Sequence, residues 1–356
     1  MPRTNDGRAA KRLRRIVDAA IGTLCTACSV LVESDGTRSG YVAGTLCPDP
    51  DHPPDAPCDP SSLFDLASLT KLATTALLLS FVKDRLITLE TPLRELVPDF
   101  RGGAKDRVTL AQVLTHTAGL VWWLPLFTEV RSIEEAAWRA AQEPLARDPG
   151  TFVYSDLGYI MLTQGLANIG DAPFDDLVRE RVLGPAGAET ARFLPERAAG
   201  CVATERYDEP EAYRRRRLRG EVHDENAHAM GGISGHAGLF GTAADVQALG
   251  RAFRDGAVIG NDLAALARRE HARGENARRG LGLALRAQDG PMVGRHMSED
   301  AYGHTGFTGT SLWIDPATHT TVVLLTNRVY FGRANDDAMY RFRIAVHESV
   351  TDPVSA

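Results

Sequence analysis

Lysine is scarce in this chain: of 40 basic residues only four, Lys11, Lys71, Lys83 and Lys105, are lysines. Chemistry that needs a side-chain amine therefore has few places to sit. Long apolar runs are missing too. No stretch reaches the roughly 18 apolar residues that a membrane span needs, so no membrane partner is expected. A basic excess is absent, the net charge being −6 at pH 7, which argues against nucleic acid as a partner. Cysteines number five, an odd count that cannot pair fully within one chain. What remains is ordinary: 44% hydrophobic and 24% charged residues over 356 positions, enough for two packed regions.

Three local features bear on compartment and partners. Arg3, Arg8, Lys11, Arg12, Arg14 and Arg15 precede an apolar segment, as in an export signal. Asp18 interrupts that segment and no small-residue cleavage site follows. Leu13, Ile16, Val17, Ala20, Ile21 and Leu24 recur at helical spacing, so the segment reads as an amphipathic first helix and the chain as cytoplasmic. The basic run Arg214, Arg215, Arg216, Arg217 and Arg219 reads as a solvated helix face or loop. Cys25 and Cys28 resemble a metal or redox pair, but on a strand residues three apart point to opposite faces and do not grip one ion. Cys47 and Cys58 bracket a Pro- and Asp-rich loop holding His52, read as a surface loop with a metal clip or disulfide as alternatives.

The order of elements predicts an α/β (α+β) chain built on an antiparallel sheet. A strand at Thr26 to Val32, a turn at Asp35-Gly36 and a strand near Tyr41 to Leu46 form a hairpin at the sheet edge. Thr70 to Val82, Leu110 to Leu114, Ile133 to Ala141 and Ile160 to Ala167 read as helices. Thr242 and Asp245 mark a capped helix start. Strands return at Gly280 to Leu285, Thr310 to Ile314 and Thr321 to Thr326, and a helix over Asp336 to Val350 closes the chain. Residues 11–66 and 226–350 thus make a discontinuous sheet domain, residues 67–225 a helical domain, and the active site is expected in the cleft between them.

Chemistry concentrates at three segments. Ser68 and Lys71, three apart on a helix, share one face. A serine hydroxyl is a poor nucleophile until a base takes its proton, and a lysine serves only when neutral, which burial or nearby positive charge favours. Tyr154 and Asp156 follow the turn at Pro149-Gly150. Gly303-His304-Thr305-Gly306-Phe307 opens a strand with small residues that let substrate approach the backbone. His116, His223, His228 and His236 lack the paired spacing of a zinc-protease helix and read as loop hydrogen-bonders, so neither metal nor other cofactor is expected.

Together these segments resemble the serine β-lactamase and penicillin-binding-protein superfamily, nearest its class C and esterase-like branch. Ser68 and Lys71 match its SxxK, Tyr154-Ser155-Asp156 resembles its Tyr-x-Asn, and His304-Thr305-Gly306 resembles its Lys-Thr-Gly. Leu114 to Leu120 and Gly232 to Phe240 are similar to further family segments. The resemblance implies a β-lactamase/transpeptidase-like fold and an acyl-enzyme at Ser68, with Lys71 and Tyr154 sharing the proton work. It also implies an oxyanion hole from the backbone N–H groups of Ser68 and Phe307, and substrate contacts at Asp156, His304, Thr305 and Gly306.

Asp for Asn at 156 adds negative charge and His for Lys at 304 removes positive charge, and both favour a small neutral or partly apolar ester over an anionic β-lactam. Trp122 and Trp123 offer an apolar substrate wall, packed aromatics being the alternative. A carboxylesterase is therefore expected. A β-lactamase, a D-Ala-D-Ala carboxypeptidase or D-aminopeptidase, and a non-catalytic binding module on the same fold are the alternatives.

Overall fold

In the computed structural model, residues 6–49, 55–207, 213–287 and 292–352 are described; Arg3 and His52 lie outside them. The helical spacing near the start forms α1 (Asp6–Ala20), which buries Leu13, Val17 and Ala20. The hairpin follows as β1 (Ala27–Ser34) and β2 (Thr37–Gly44). The second strand begins earlier than the apolar residues suggest, because its outer half is exposed and polar. Then come α2 (Thr70–Lys83), α3 (Leu110–Leu114), α4 (Ile133–Gln142) and α5 (Leu157–Gly170). Helices α2 and α5 are apolar nearly all round and sit inside the core, as such helices must. Helix α6 (Ala243–Arg254) starts at the expected cap, Thr242 and Asp245 forming a reciprocal capping box.

The return to strands differs from expectation in one place. Strand β5 is confined to Ala284–Leu285, and a hairpin of β3 (Ala272–Gly274) and β4 (Ala277–Arg279) precedes it. That hairpin is rich in arginine and shows no apolar alternation, so hydrophobic patterning passes over it. Strands β6 (Tyr302–Thr305), β7 (Ser311–Asp315) and β8 (Thr320–Thr326) and helix α7 (Asp336–Thr351) complete the fold.

One eight-stranded sheet results, in the order β2-β1-β8-β7-β6-β5-β4-β3, with antiparallel neighbours throughout. Its first strand pairs with its last, Cys28 opposite Thr326. Both faces are covered. Cys28, Val30, Val322 and Leu324 meet α1 and α7 on one side, while Val323, Leu325 and Leu312 meet Val246, Leu249 and Phe253 of α6 on the other. All seven residues of β8 are therefore buried. At about 1.5–3 kcal/mol per buried aliphatic side chain, this sandwiching is what holds strands from the two ends of the chain together.

Two sequence readings are corrected here. Cys25 lies in the turn before β1, where the two-residue period does not apply, and its side chain enters the same apolar cluster as Cys28. All five cysteines are free and buried, and no metal-holding cluster occurs among the described residues. The basic run is a loop, solvated at Arg215 and Arg216 but not at Arg214 or Arg217. Arg214 is buried and donates to the carbonyls of Val222 and His223, and Arg217 pairs with Asp49 while bonding the carbonyls of Thr204 and Tyr330. Guanidinium groups here tie loop carbonyls that no sheet or helix satisfies. Among the described residues no helix is long and apolar enough to cross a membrane.

Candidate active site

The nucleophile turn is fastened from both ends of the chain. Phe64–Asp65 pairs with Phe240–Gly241, and the Asp65 carboxylate accepts from the backbone N–H of Ala67 (2.8 Å) and His223 (2.6 Å). Burial raises the pKa of Asp65 against those two donors. Ala67 is held at φ +47°, an uncommon conformation for a residue with a Cβ, immediately before Ser68. Ser68 occupies a single 3-10 turn, and Lys71 falls in the first turn of α2.

Lys71 is fully buried. Its Nζ donates to Ser68 Oγ (3.0 Å) and to the His236 carbonyl (3.0 Å), and pairs with Asp156 Oδ1 at 2.7 Å. The last contact is an ion pair more than an aligned hydrogen bond, Oδ1 having no other donor. Burial by itself would depress the lysine pKa. Negative charge at Asp156, and then at Tyr154, outweighs it and raises the pKa above the ordinary value. The raised pKa favours the ammonium form of Lys71. The Asp156 carboxylate turns to Lys71, and the residue is not among those lining the cavity beside Ser68.

Tyr154 is gripped by a residue whose role the sequence did not reveal. The His116 carbonyl accepts from Val153 N–H (2.9 Å), its Nδ1 accepts from Ser155 N–H (3.1 Å), and its ring stacks on Tyr154 at 4.3 Å. Burial, then the charges of Arg279 and Lys71, hold His116 far below its usual pKa, so Nδ1 stays free to accept. The Lys71 amine lies 5.3 Å from the centre of the Tyr154 ring. Ser68, Lys71 and Tyr154, far apart in sequence, are therefore together.

Ser68 and Tyr154 open onto a cavity of about 440 Å³, also lined by Thr305, Gly306 and Phe307 and by Tyr340 and Arg343 of α7. The turn bearing Phe307 is locked to the nucleophile strand: Thr308 Oγ donates to the Asp65 carbonyl (2.8 Å) and Thr310 Oγ to that of Leu66 (3.0 Å). A Cβ on Gly306 would stand 2.1 Å from Thr310 Oγ and 2.6 Å from the Leu66 carbonyl. Gly306 is thus required by this lock. The Phe307 carbonyl accepts from Arg328 Nε (2.7 Å), and its ring stacks on His223 at 5.6 Å.

The other expected contacts lie elsewhere. His304 is buried outside the cavity lining, its Nδ1 donating to the Thr305 carbonyl (2.8 Å) and its Nε2 without a partner. Burial, then the charges of Arg279 and Lys71, push its pKa down to about 3, so it is neutral. Trp122 and Trp123 stack on each other at 5.8 Å outside that lining, Trp122 being 67% exposed. The cavity lining includes Met339, Tyr340 and Arg343 of α7 instead. Arg279, Arg328 and Arg343 went unnoticed in the sequence because nothing marks them among so many arginines.

A match to the Beta-lactamase family spans residues 29–346, most of the chain. The chain belongs to that family. Members of the Beta-lactamase family are generally serine hydrolases, and the fold is that of a serine β-lactamase-type hydrolase. A Salmonella agona protein named "Putative D-alanyl-D-alanine carboxypeptidase" is 31% identical over 310 residues, covering 77% of this chain and 71% of its own. Among solved structures, EstCE1, a hydrolase with promiscuous acyltransferase activity, superposes with TM-score 0.79 at 21% identity, covering 96% of this chain and 99% of that one. A class C β-lactamase from Rhodobacter sphaeroides gives TM-score 0.74 at 16% identity, with coverage of 96% and 99%. At these identities the two structures support the fold.

Proposed function

We propose that this Beta-lactamase-family chain hydrolyses small esters through an acyl-enzyme at Ser68, in a cleft whose walls are the helical region and the discontinuous sheet. The observation that carries this reading is the 2.7 Å pair between Lys71 and Asp156. An ammonium has no lone pair, so Lys71 does not take the serine proton; it orients Ser68 Oγ by donating to it. Tyr154 is the proton acceptor. Ser68 Oγ bonds to the acyl carbon, the proton passes to Tyr154, and the carbonyl oxygen collects charge beneath the Ser68 and Phe307 N–H groups, each worth about 3 kcal/mol. As the bond to the leaving oxygen breaks, Tyr154 returns the proton to it and is a phenolate again. It then takes a proton from the attacking water and passes it to Ser68 Oγ as the acyl–serine bond breaks and the acid departs.

The same pair argues for esters over amides. An amine leaving group needs a strong general acid, and an acid works best with a pKa near the working pH. Asp156 moves Lys71 the other way. Ester oxygens leave with less help. A second reading, cleavage of peptides ending in a carboxylate, is favoured by Arg343. This arginine lines the cavity, its Nε has no hydrogen-bond partner, and burial with the neighbouring Arg328 charge lowers its pKa to about 10 while leaving it charged.

Fluorophosphonate labelling and turnover of p-nitrophenyl butyrate, nitrocefin and a D-Ala-D-Ala peptide test both readings. Ser68→Ala should lose labelling and reduce ester turnover on the order of 10³-fold or more. Labelling that survives refutes the acyl-enzyme. Peptide turnover above ester turnover, lost in Arg343→Gln, reverses the substrate assignment.

A further inference from the structure

Tyr154 is surrounded by five titratable groups besides the nucleophile. His116 stacks on it and His304 lies 6.2 Å away ring to ring, and both are neutral. Tyr159, in the first turn of α5, is buried, bonded to Thr75, and pushed up to about 12 chiefly by burial, so it too is uncharged. Two cations remain, Lys71 and Arg279. The Lys71 charge is largely cancelled by Asp156 at 2.7 Å. Arg279 is different. It sits at the end of β4, its guanidinium 5.4 Å from the Tyr154 ring centre and 5.3 Å from that of Phe152. Its Nε is buried without a hydrogen-bond partner, and no carboxylate pairs with it among the described residues.

A partly buried guanidinium without a counter-ion costs folding free energy. Two aromatic faces offset only part of this. Nothing in the packing of the hairpin calls for a cation at this position. What lies beside it is the phenol on which the proposed mechanism places a negative charge.

We propose that Arg279 is a positioning residue for proton transfer, the uncancelled cation that favours negative charge on the Tyr154 oxygen. The inference rests on Tyr154 being the proton acceptor. It also accounts for a neutral residue at 304 and a carboxylate at 156: the positive charge that position 304 forgoes, and that Asp156 offsets at Lys71, is supplied from a different strand. Arg279 itself is held below its usual guanidinium pKa by burial, with Tyr154 and Tyr159 opposing, as a group poised against two phenols should be.

The test is the pH profile of kcat/KM for p-nitrophenyl butyrate in wild type, Arg279→Met, Arg279→Lys and Tyr154→Phe, with thermal unfolding alongside. Arg279→Met should lower kcat/KM at neutral pH about tenfold or more and move the acidic limb up by about one pH unit. Its melting temperature should match or exceed wild type, because a costly buried charge is gone. Arg279→Lys should recover most of the rate and the limb position. A superimposable profile for Arg279→Met overturns the inference, and so does a loss of rate that follows only a lower melting temperature. Failure of both Arg279→Met and Arg279→Gln to fold overturns it too, since a structural role then suffices. If Tyr154→Phe keeps wild-type turnover, the underlying assignment of Tyr154 fails. An inactive Tyr154→Phe beside an unmoved Arg279→Met profile refutes Arg279 alone.

Discussion

Lys71 Nζ and Asp156 Oδ1 stand 2.7 Å apart, the lysine completely buried and the carboxylate reaching it from the N-terminus of α5. This pair fixes the protonation state of the site. Asp156→Asn should release Lys71 from its raised pKa and make it a better proton donor to poor leaving groups. The ratio of nitrocefin to p-nitrophenyl butyrate turnover is expected to rise about tenfold, the equivalent of one pKa unit or about 1.4 kcal/mol. An unchanged ratio would show that the carboxylate does not set substrate preference.

Gly306 gives a prediction about the lock. A methyl there meets the Thr310 hydroxyl and the Leu66 carbonyl well inside contact distance, and the second is backbone. Gly306→Ala should cost about 1–3 kcal/mol of stability and displace Phe307, lowering kcat more than it raises KM. Denaturant unfolding and steady-state kinetics on the same preparation check both halves.

Acid should weaken the fold through two histidines. His304 and His347 are buried, and burial leads the causes that lower each pKa to about 3. In the unfolded chain a histidine titrates near 6.5. Between these values the unfolded state binds the extra proton, so stability is full above about pH 6.5 and falls as pH drops toward 3, by up to about 1.4 kcal/mol per pH unit for each histidine. Neither nitrogen of His347 has a hydrogen-bond partner. His347→Leu should therefore stabilise the protein by about 1 kcal/mol at pH 7 and by more at pH 5. Urea midpoints at the two pH values measure this; an equal gain at both would refute the titration argument.

Asp65 is expected to matter without touching substrate. Asp65→Asn replaces an acceptor that serves two backbone N–H groups with a side chain that must also donate. A loss of about 1–3 kcal/mol is expected, together with a fall in labelling rate at Ser68. Crystals of the variant would show Ala67 relaxing from positive φ.

Much of the framework was legible because it follows from periodicity. The apolar run after Thr70, the β-branched run near residue 322 and the Thr242 cap each correspond to an observed element. Ser68 and Lys71 were legible because helical spacing alone brings them together. Tyr154 was legible only through resemblance, since no local rule carries a residue across 83 positions. The Asp156 contact was hidden for the same reason: its partner lies in another helix, and the type of residue does not reveal which way it faces. Arg279 sits in a hairpin without apolar alternation, so neither the strand nor its aim could be read from the letters. His116, His223 and His236 are loop hydrogen-bonders, as the sequence suggested, whereas His228 lies in a short helix; the partners, such as Glu205 for His223 and Asp224 for His236, are set by tertiary packing.

The carbonyls flanking the nucleophile, those of Asp65 and Leu66, accept hydrogen bonds from threonines 243 and 244 positions further along. A growing polypeptide emerging from the ribosome thus carries its serine long before it carries the residues that fasten it. Until the segment containing Thr308 and Thr310 has left the exit tunnel, two of the bonds that hold the turn at Ala67 in place are missing. The arrangement around Ser68 is therefore completed only once that later segment has joined it.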